Sequence, residues 1–146
     1  MTKFIIANYG SGNKGKSTSV KEVYKLLAAR YPTDVTVIHP LSSGDVKAII
    51  KVKGILVGIE SQGDPNSRMK NSLVDFLNAG CKIIVAACRS YGDTANAIED
   101  MHKYGYQVIW ATNDKNWDDQ AIIDYLNIQY ARHVIQIIED RIAGIV

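Results

Sequence analysis

Gly10, Gly15, Lys16 and Ser17 stand at the spacing G-x-x-x-x-G-K-[ST], and that pattern serves one kind of chemistry. Glycines let backbone N–H groups curl around a polyphosphate, and a helix starting directly behind them aims its positive dipole end at the same charge. The stretch Gly10-Ser11-Gly12-Asn13-Lys14-Gly15-Lys16-Ser17-Thr18 therefore reads as a phosphate cradle. Within it Lys16 is expected to reach the β- and γ-phosphates and Ser17 to offer its hydroxyl to magnesium, with Thr18 the neighbour that a shifted register would use. Lys14 either adds a second positive charge to the cradle or is simply solvated. The pattern needs a buried strand in front and a helix behind, and Phe4-Ile5-Ile6-Ala7 and the helical period from Ser17 supply both.

At these residues the chain resembles the P-loop nucleoside-triphosphate-binding superfamily, which includes small-molecule and nucleotide kinases, GTPases and ATPases. The resemblance covers the first strand, the loop and one turn of helix. It implies ATP and magnesium as cofactors, and it directs attention to the loops that follow each strand. Glu60 ends a strand of the type that in these proteins delivers an acid towards magnesium, although aspartate is the commoner residue; Glu60 is expected to act on the metal or on the attacking group, or only to cap the next turn. Glu60-Ser61-Gln62-Gly63 also resembles the D-x-x-G switch element of GTPases. Asp64 is a second acid for the same region, or a turn aspartate before Pro65.

Arg68 and Arg89 follow the third and fourth expected strands, where two planar guanidinium groups could face one cleft and grip a transferring phosphoryl group or an anionic acceptor. His39 and Asp45 close the acceptor side, with Asp45 the acid that could orient an acceptor hydroxyl or merely sit in a first helical turn. Guanine readers of the superfamily carry N-K-x-D after a late strand. Here Asn116-Trp117-Asp118-Asp119 keeps Asn and Asp but replaces Lys by Trp, which favours ATP. His102 and His133 lie in helical patterns and read as surface residues. The catalytic set expected from the resemblance is thus Lys16, Glu60 and Arg89, with Ser17 and Glu60 on the metal and Asp45, Asp64, Arg68 and Arg89 around a small acceptor. A kinase-type phosphotransferase leads. A hydrolytic NTPase, a switch or a binding module is the alternative, because Gly92 to Tyr106 offers one helix and no arginine to form a lid.

These residues must be positioned by an alternation of apolar strands and amphipathic helices. Strands are expected at 4–7, 34–39, 53–60, 82–88 and 106–111, with helices at 17–30, 67–78, from Asp93 or Thr94 to Tyr104, and 118–142. Residues 42–52 leave two readings open, a short helix carrying Val46, Ile49 and Ile50 on one face or a strand at Ile49 to Val52. Alternation of this kind predicts a three-layer α/β/α fold around a five-stranded, mostly parallel sheet, with the chemistry beyond the C-terminal strand ends.

A length of 146 residues suits one domain. Apolar residues at 47%, charged residues at 22% and a net charge of +2 are ordinary for a globular chain and give no reason to expect nucleic acid as a partner. Cys81 and Cys88 match no metal spacing and read as reduced, structural thiols. No apolar stretch approaches the ~20 residues that span a bilayer and no signal-peptide pattern precedes the first strand, so a cytoplasmic protein without membrane contact is expected. The last helix carries an Ile-rich face wide enough to serve a homodimer as well as the sheet.

Overall fold

The computed structural model describes residues 2–9, 16–89, 92–111 and 119–146. In chain order they form β1 (Phe4–Tyr9), α1 (Lys16–Arg30), β2 (Val35–His39), β3 (Lys47–Val52), β4 (Ile55–Glu60), α2 (Met69–Ala79), β5 (Ile83–Cys88), α3 (Asp93–Asp100), β6 (Gln107–Ala111) and α4 (Gln120–Ile142). A 3₁₀ turn over Met101–Tyr104 continues α3 to Gly105, whose φ of 90° ends it.

The strands make one sheet in the order β2-β3-β4-β5-β1-β6. β1 pairs in parallel with β5 and β6, and β4 pairs in parallel with β5, whereas β3 is antiparallel to both its neighbours. The sheet is therefore mostly parallel and open, with six strands in place of the expected five. The extra strand comes from the segment whose reading was open: residues 47–52 are a strand, not a helix. Lys53 and Gly54 fold it back on β4, with φ of 50° and 85° and with Val52 facing Ile55 across the turn. Two consecutive left-handed residues make the tight hairpin whose twist matches that of its strands. Strict alternation of strand and helix thus fails between β2 and β4, where a local hairpin replaces the crossover.

The alternate residues of each buried strand go to opposite layers, as a two-sided sheet requires. Ile6, Val57, Ile59, Val85 and Ala87 meet Val20, Val23 and Leu27 of α1 and Tyr130, Val134 and Ile138 of α4. Ile5, Ala7, Ile84, Ala86 and Cys88 meet Met69, Leu73 and Phe76 of α2 and Ile98 of α3. The apolar face of α4 is thereby used within the chain. Gly58 allows α2 to settle on the sheet, since a Cβ there would lie 2.5 Å from the Phe76 ring. Both cysteines are buried, and burial pushes the Cys81 thiol up to about 12. Among the described residues no helix is long and apolar enough to cross a membrane.

The connections leave two neighbouring strands in opposite directions. The chain leaves β1 through α1 on one face towards β2, and leaves β5 through α3 on the other face towards β6. Connections that diverge from neighbouring strands open a crevice beyond their C-terminal ends. Here the two neighbouring strand ends are those of β1, at Tyr9, and β5, at Cys88, with Arg89 following.

Candidate functional site

Residues 10–15 and 112–118 lie outside the described part of the chain, so the expected contacts of Gly10, Ser11, Gly12, Asn13, Lys14 and Gly15, and of Asn116, Trp117 and Asp118, are not part of the geometry that follows. Lys16 is the first residue of α1 and Ser17 the second, directly downstream of the buried strand β1. A strand before residue 10 and a helix from Lys16 are both present. Thr18 is exposed, so Ser17 is the hydroxyl turned inward.

What Ser17 meets is Asp45. The Ser17 Oγ donates to Asp45 Oδ1 at 2.7 Å, the Ser61 Oγ donates to the same oxygen at 2.9 Å, and Lys21 Nζ, one turn along α1, stands 3.7 Å away. Burial by itself would raise the Asp45 carboxyl, but the Ser17 and Ser61 hydroxyls together with the Lys21 and Arg68 charges outweigh it and hold the group below its ordinary range. Asp45 therefore stays ionised beside the start of α1. The segment before the antiparallel strand β3 is not a helix, and it brings Asp45 to the C-terminal edge of the parallel strands, opposite Ser17. Ser61 is itself fixed, accepting the Val46 N–H at 2.9 Å.

Glu60 is fully buried, and its carboxylate is closed by four donors. Arg68 Nε donates to Oε1 at 2.7 Å and Arg68 Nη2 to Oε2 at 3.2 Å; the Ser72 hydroxyl donates to Oε1 at 2.6 Å and the Gln62 N–H to Oε2 at 3.1 Å. A two-point arginine pair of this kind satisfies a buried charge. It also turns Glu60 towards Arg68 and Ser72 at the start of α2, with the Gln62 N–H closing the turn that follows β4. Arg68 is likewise engaged: its Nη2 also donates to the Asp45 carbonyl at 3.1 Å, and its backbone N–H donates to Gln62 Oε1 at 2.9 Å. It braces the segment that carries Asp45.

Asp64 and Arg89 form a separate pair, Arg89 Nε to Asp64 Oδ1 at 3.2 Å, with the arginine side chain 36% and the aspartate 62% exposed. Such a pair holds its partners weakly, by ~1 kcal/mol or less. The Arg89 N–H is anchored on Thr94 Oγ1 at 3.0 Å, so Thr94 spends its hydroxyl on the loop and does not cap α3. The loop from Ser61 to Asn66 lies tight against the end of β5. A Cβ on Gly63 would come within 2.5 Å of the Ala87 carbonyl oxygen and 2.7 Å of the Cys88 nitrogen. Close backbone packing is thus a complete reason for this glycine, apart from any switch role. Asp119 has a structural duty too, accepting the Ala121 N–H as the N-cap of α4 at 2.9 Å. His39 and His133 are exposed, and His102 lies 3.4 Å from Glu99.

The structure therefore joins Ser17, Asp45, Glu60 and Arg68 in one network and sets Asp64 with Arg89 in another. Sequence reasoning missed Ser61, Lys21 and Ser72. Ser72 had a signal, a hydroxyl inside the stripe Met69, Leu73 and Phe76 that faces the sheet, where a polar residue needs a buried partner. Lys21 stands four residues after Ser17 on one helix face. Ser61 had none. Comparison of the chain with protein-family models, with curated proteins and with solved structures finds no match.

Proposed function

We propose that this protein binds a magnesium nucleoside triphosphate, ATP in preference to GTP, at residues 10–18 and transfers its γ-phosphoryl group. The observation that carries the reading is the placement of Lys16-Ser17 at the opening of α1, directly behind a central parallel strand and beside an ionised carboxylate. The donors at that point, the Ser17 hydroxyl, the Asp45 carboxylate and the Ser61 hydroxyl, are all hard oxygens of the kind magnesium takes. When bound, magnesium would neutralise charge on the polyphosphate.

The protein's own residues do the rest by position. Lys16 and the loop N–H groups bind the phosphates, and the dipole of α1 adds to that field. Arg89, on the strand next to β1, can exchange its weak pair with Asp64 for a more highly charged anion, which makes it the group that meets the transferring phosphoryl or a small anionic acceptor. A second reading, hydrolysis without an acceptor, is favoured by one observation: Arg68, the other arginine assigned to an acceptor, is committed to Glu60.

Formation of nucleoside diphosphate and of free phosphate from ATP and from GTP, measured with and without a metabolite mixture, separates the two. Diphosphate formed only with the mixture and without matching free phosphate identifies a phosphotransferase, and equal diphosphate and free phosphate without it an NTPase. Lys16→Ala should abolish binding of magnesium ATP while leaving the circular dichroism spectrum unchanged, because it removes a charge from the cradle. Unchanged affinity by calorimetry would refute the phosphate-cradle reading.

A further inference from the structure

We infer that Asp45, and not the acid that ends β4, is the protein carboxylate of the divalent-cation site, acting on the ion together with the Ser17 hydroxyl. The inference rests on the nucleotide reading above and assigns its metal. Four observations carry it. The acid in contact with Ser17 is Asp45, at 2.7 Å; Glu60 reaches Arg68, Ser72 and Gln62 instead. Ser17 gives its proton to Asp45 Oδ1, which leaves the lone pairs of its oxygen for a cation and increases their electron density. Both hydroxyl donors converge on Oδ1, and among the described residues no hydrogen bond reaches Oδ2, while the side chain remains 27% exposed. Glu60, by contrast, is fully buried with both oxygens occupied, and ligation through it would break a buried pair at a cost of several kcal/mol.

The surroundings are built to hold this one carboxylate. Arg68 grips the Asp45 carbonyl, Ser61 binds both the Asp45 carboxylate and the Val46 N–H, and Glu60 fixes the arginine that does the gripping. Glu60 and Arg68 are thus positioning residues. Lys21, 3.7 Å from Oδ1, is the nearest competing cation and sits on a partly exposed side chain free to withdraw into solvent. Magnesium uses one or two protein carboxylates and completes its shell with water and phosphate, so a site with one acid and one hydroxyl is sufficient.

The test uses the full chain and calorimetric titration with ATP, once in excess magnesium and once in EDTA, on wild type, Asp45→Asn and Glu60→Gln. Asparagine keeps an oxygen to accept from Ser17 and Ser61, so the fold should survive, which thermal melting checks. Asp45→Asn should lose about 10–100-fold of the magnesium-dependent gain in affinity, with affinity in EDTA unchanged within about twofold, a difference of ~0.4 kcal/mol. A wild-type magnesium gain in Asp45→Asn, or loss of it in Glu60→Gln alone, overturns the assignment. If wild type binds ATP equally with and without magnesium, the metal site falls and the phosphate cradle stands; if it binds no ATP, both fall. A second measurement needs no variant. Ferrous iron in place of magnesium, with ascorbate and peroxide, should cut the wild-type chain near residues 17 and 45; cuts at 60–64 with none at 45 would return the role to Glu60.

Discussion

Arg68→Met should be among the most damaging single substitutions outside the apolar core, and its cost follows from two exposures. The Glu60 side chain is 0% and the Arg68 side chain 23% exposed, and the guanidinium supplies two of the four hydrogen bonds to the carboxylate. Removing it leaves a charged oxygen pair in the protein interior with only the Ser72 hydroxyl and the Gln62 N–H. Breaking such a pair from one side costs about 3–5 kcal/mol, because the surviving charge has lost its compensation but not its burial. At a urea slope of about 2 kcal/mol/M the unfolding midpoint should fall by roughly 2 M, and the melting temperature by about 6–20 °C. Glu60→Gln in the same chain should recover most of this, since a neutral amide still accepts from Ser72 and leaves no charge to strand. The assay is urea unfolding of the two single variants and the double variant, read as a double-mutant cycle. A cost below about 1 kcal/mol for Arg68→Met, or a double variant whose cost equals the sum of the singles, would refute the account of Glu60 and Arg68 as a closed buried pair.

Other substitutions probe other parts of the fold. Gly63→Ala should destabilise by about 1–3 kcal/mol, since its Cβ would press on the backbone of β5, and wild-type urea stability would refute the packing described for loop 61–66. Gly58→Ala should cost a similar amount by meeting the Phe76 ring, and Phe76→Leu in the same chain should relieve part of that loss; no relief would place the strain elsewhere. Lys53→Asn should raise stability by about 0.5–1 kcal/mol, because Lys53 holds a φ of 50° in the hairpin and Asn-Gly is the sequence such a turn prefers. The Asp45 carboxyl is held below its ordinary value in the folded chain, so it contributes stability that is fully present above the unfolded value near 3.8 and is lost as pH falls through the folded value. The stability difference between wild type and Asp45→Asn, measured in urea at several pH values, should therefore shrink in acid; a difference that grows as pH falls would reverse the sign of the account.

By itself the sequence determined the strand and the helix near its start, because periodicity is a local property of residues 4–7 and 17–30. It determined the buried parallel strands β4 and β5 as well, since a strand covered on both faces must be apolar at every position. The hairpin was hidden. Ile49 to Val52 fits a helix face or a strand equally well, and the left-handed turn at Lys53-Gly54 decides between them only when β4 is present to pair with β3. Side-chain partners were hidden for the same reason. Glu60 at a strand end suggests a metal ligand until α2 delivers Arg68 and Ser72 to both its oxygens, and Asp45 suggests a helix turn until the hairpin carries it to Ser17. Residues 28 and 16 positions apart in the chain share one carboxylate oxygen there, a proximity that depends on which strand lies beside which, and strand order is decided by how the whole sheet buries its two faces and not by any one stretch of the sequence.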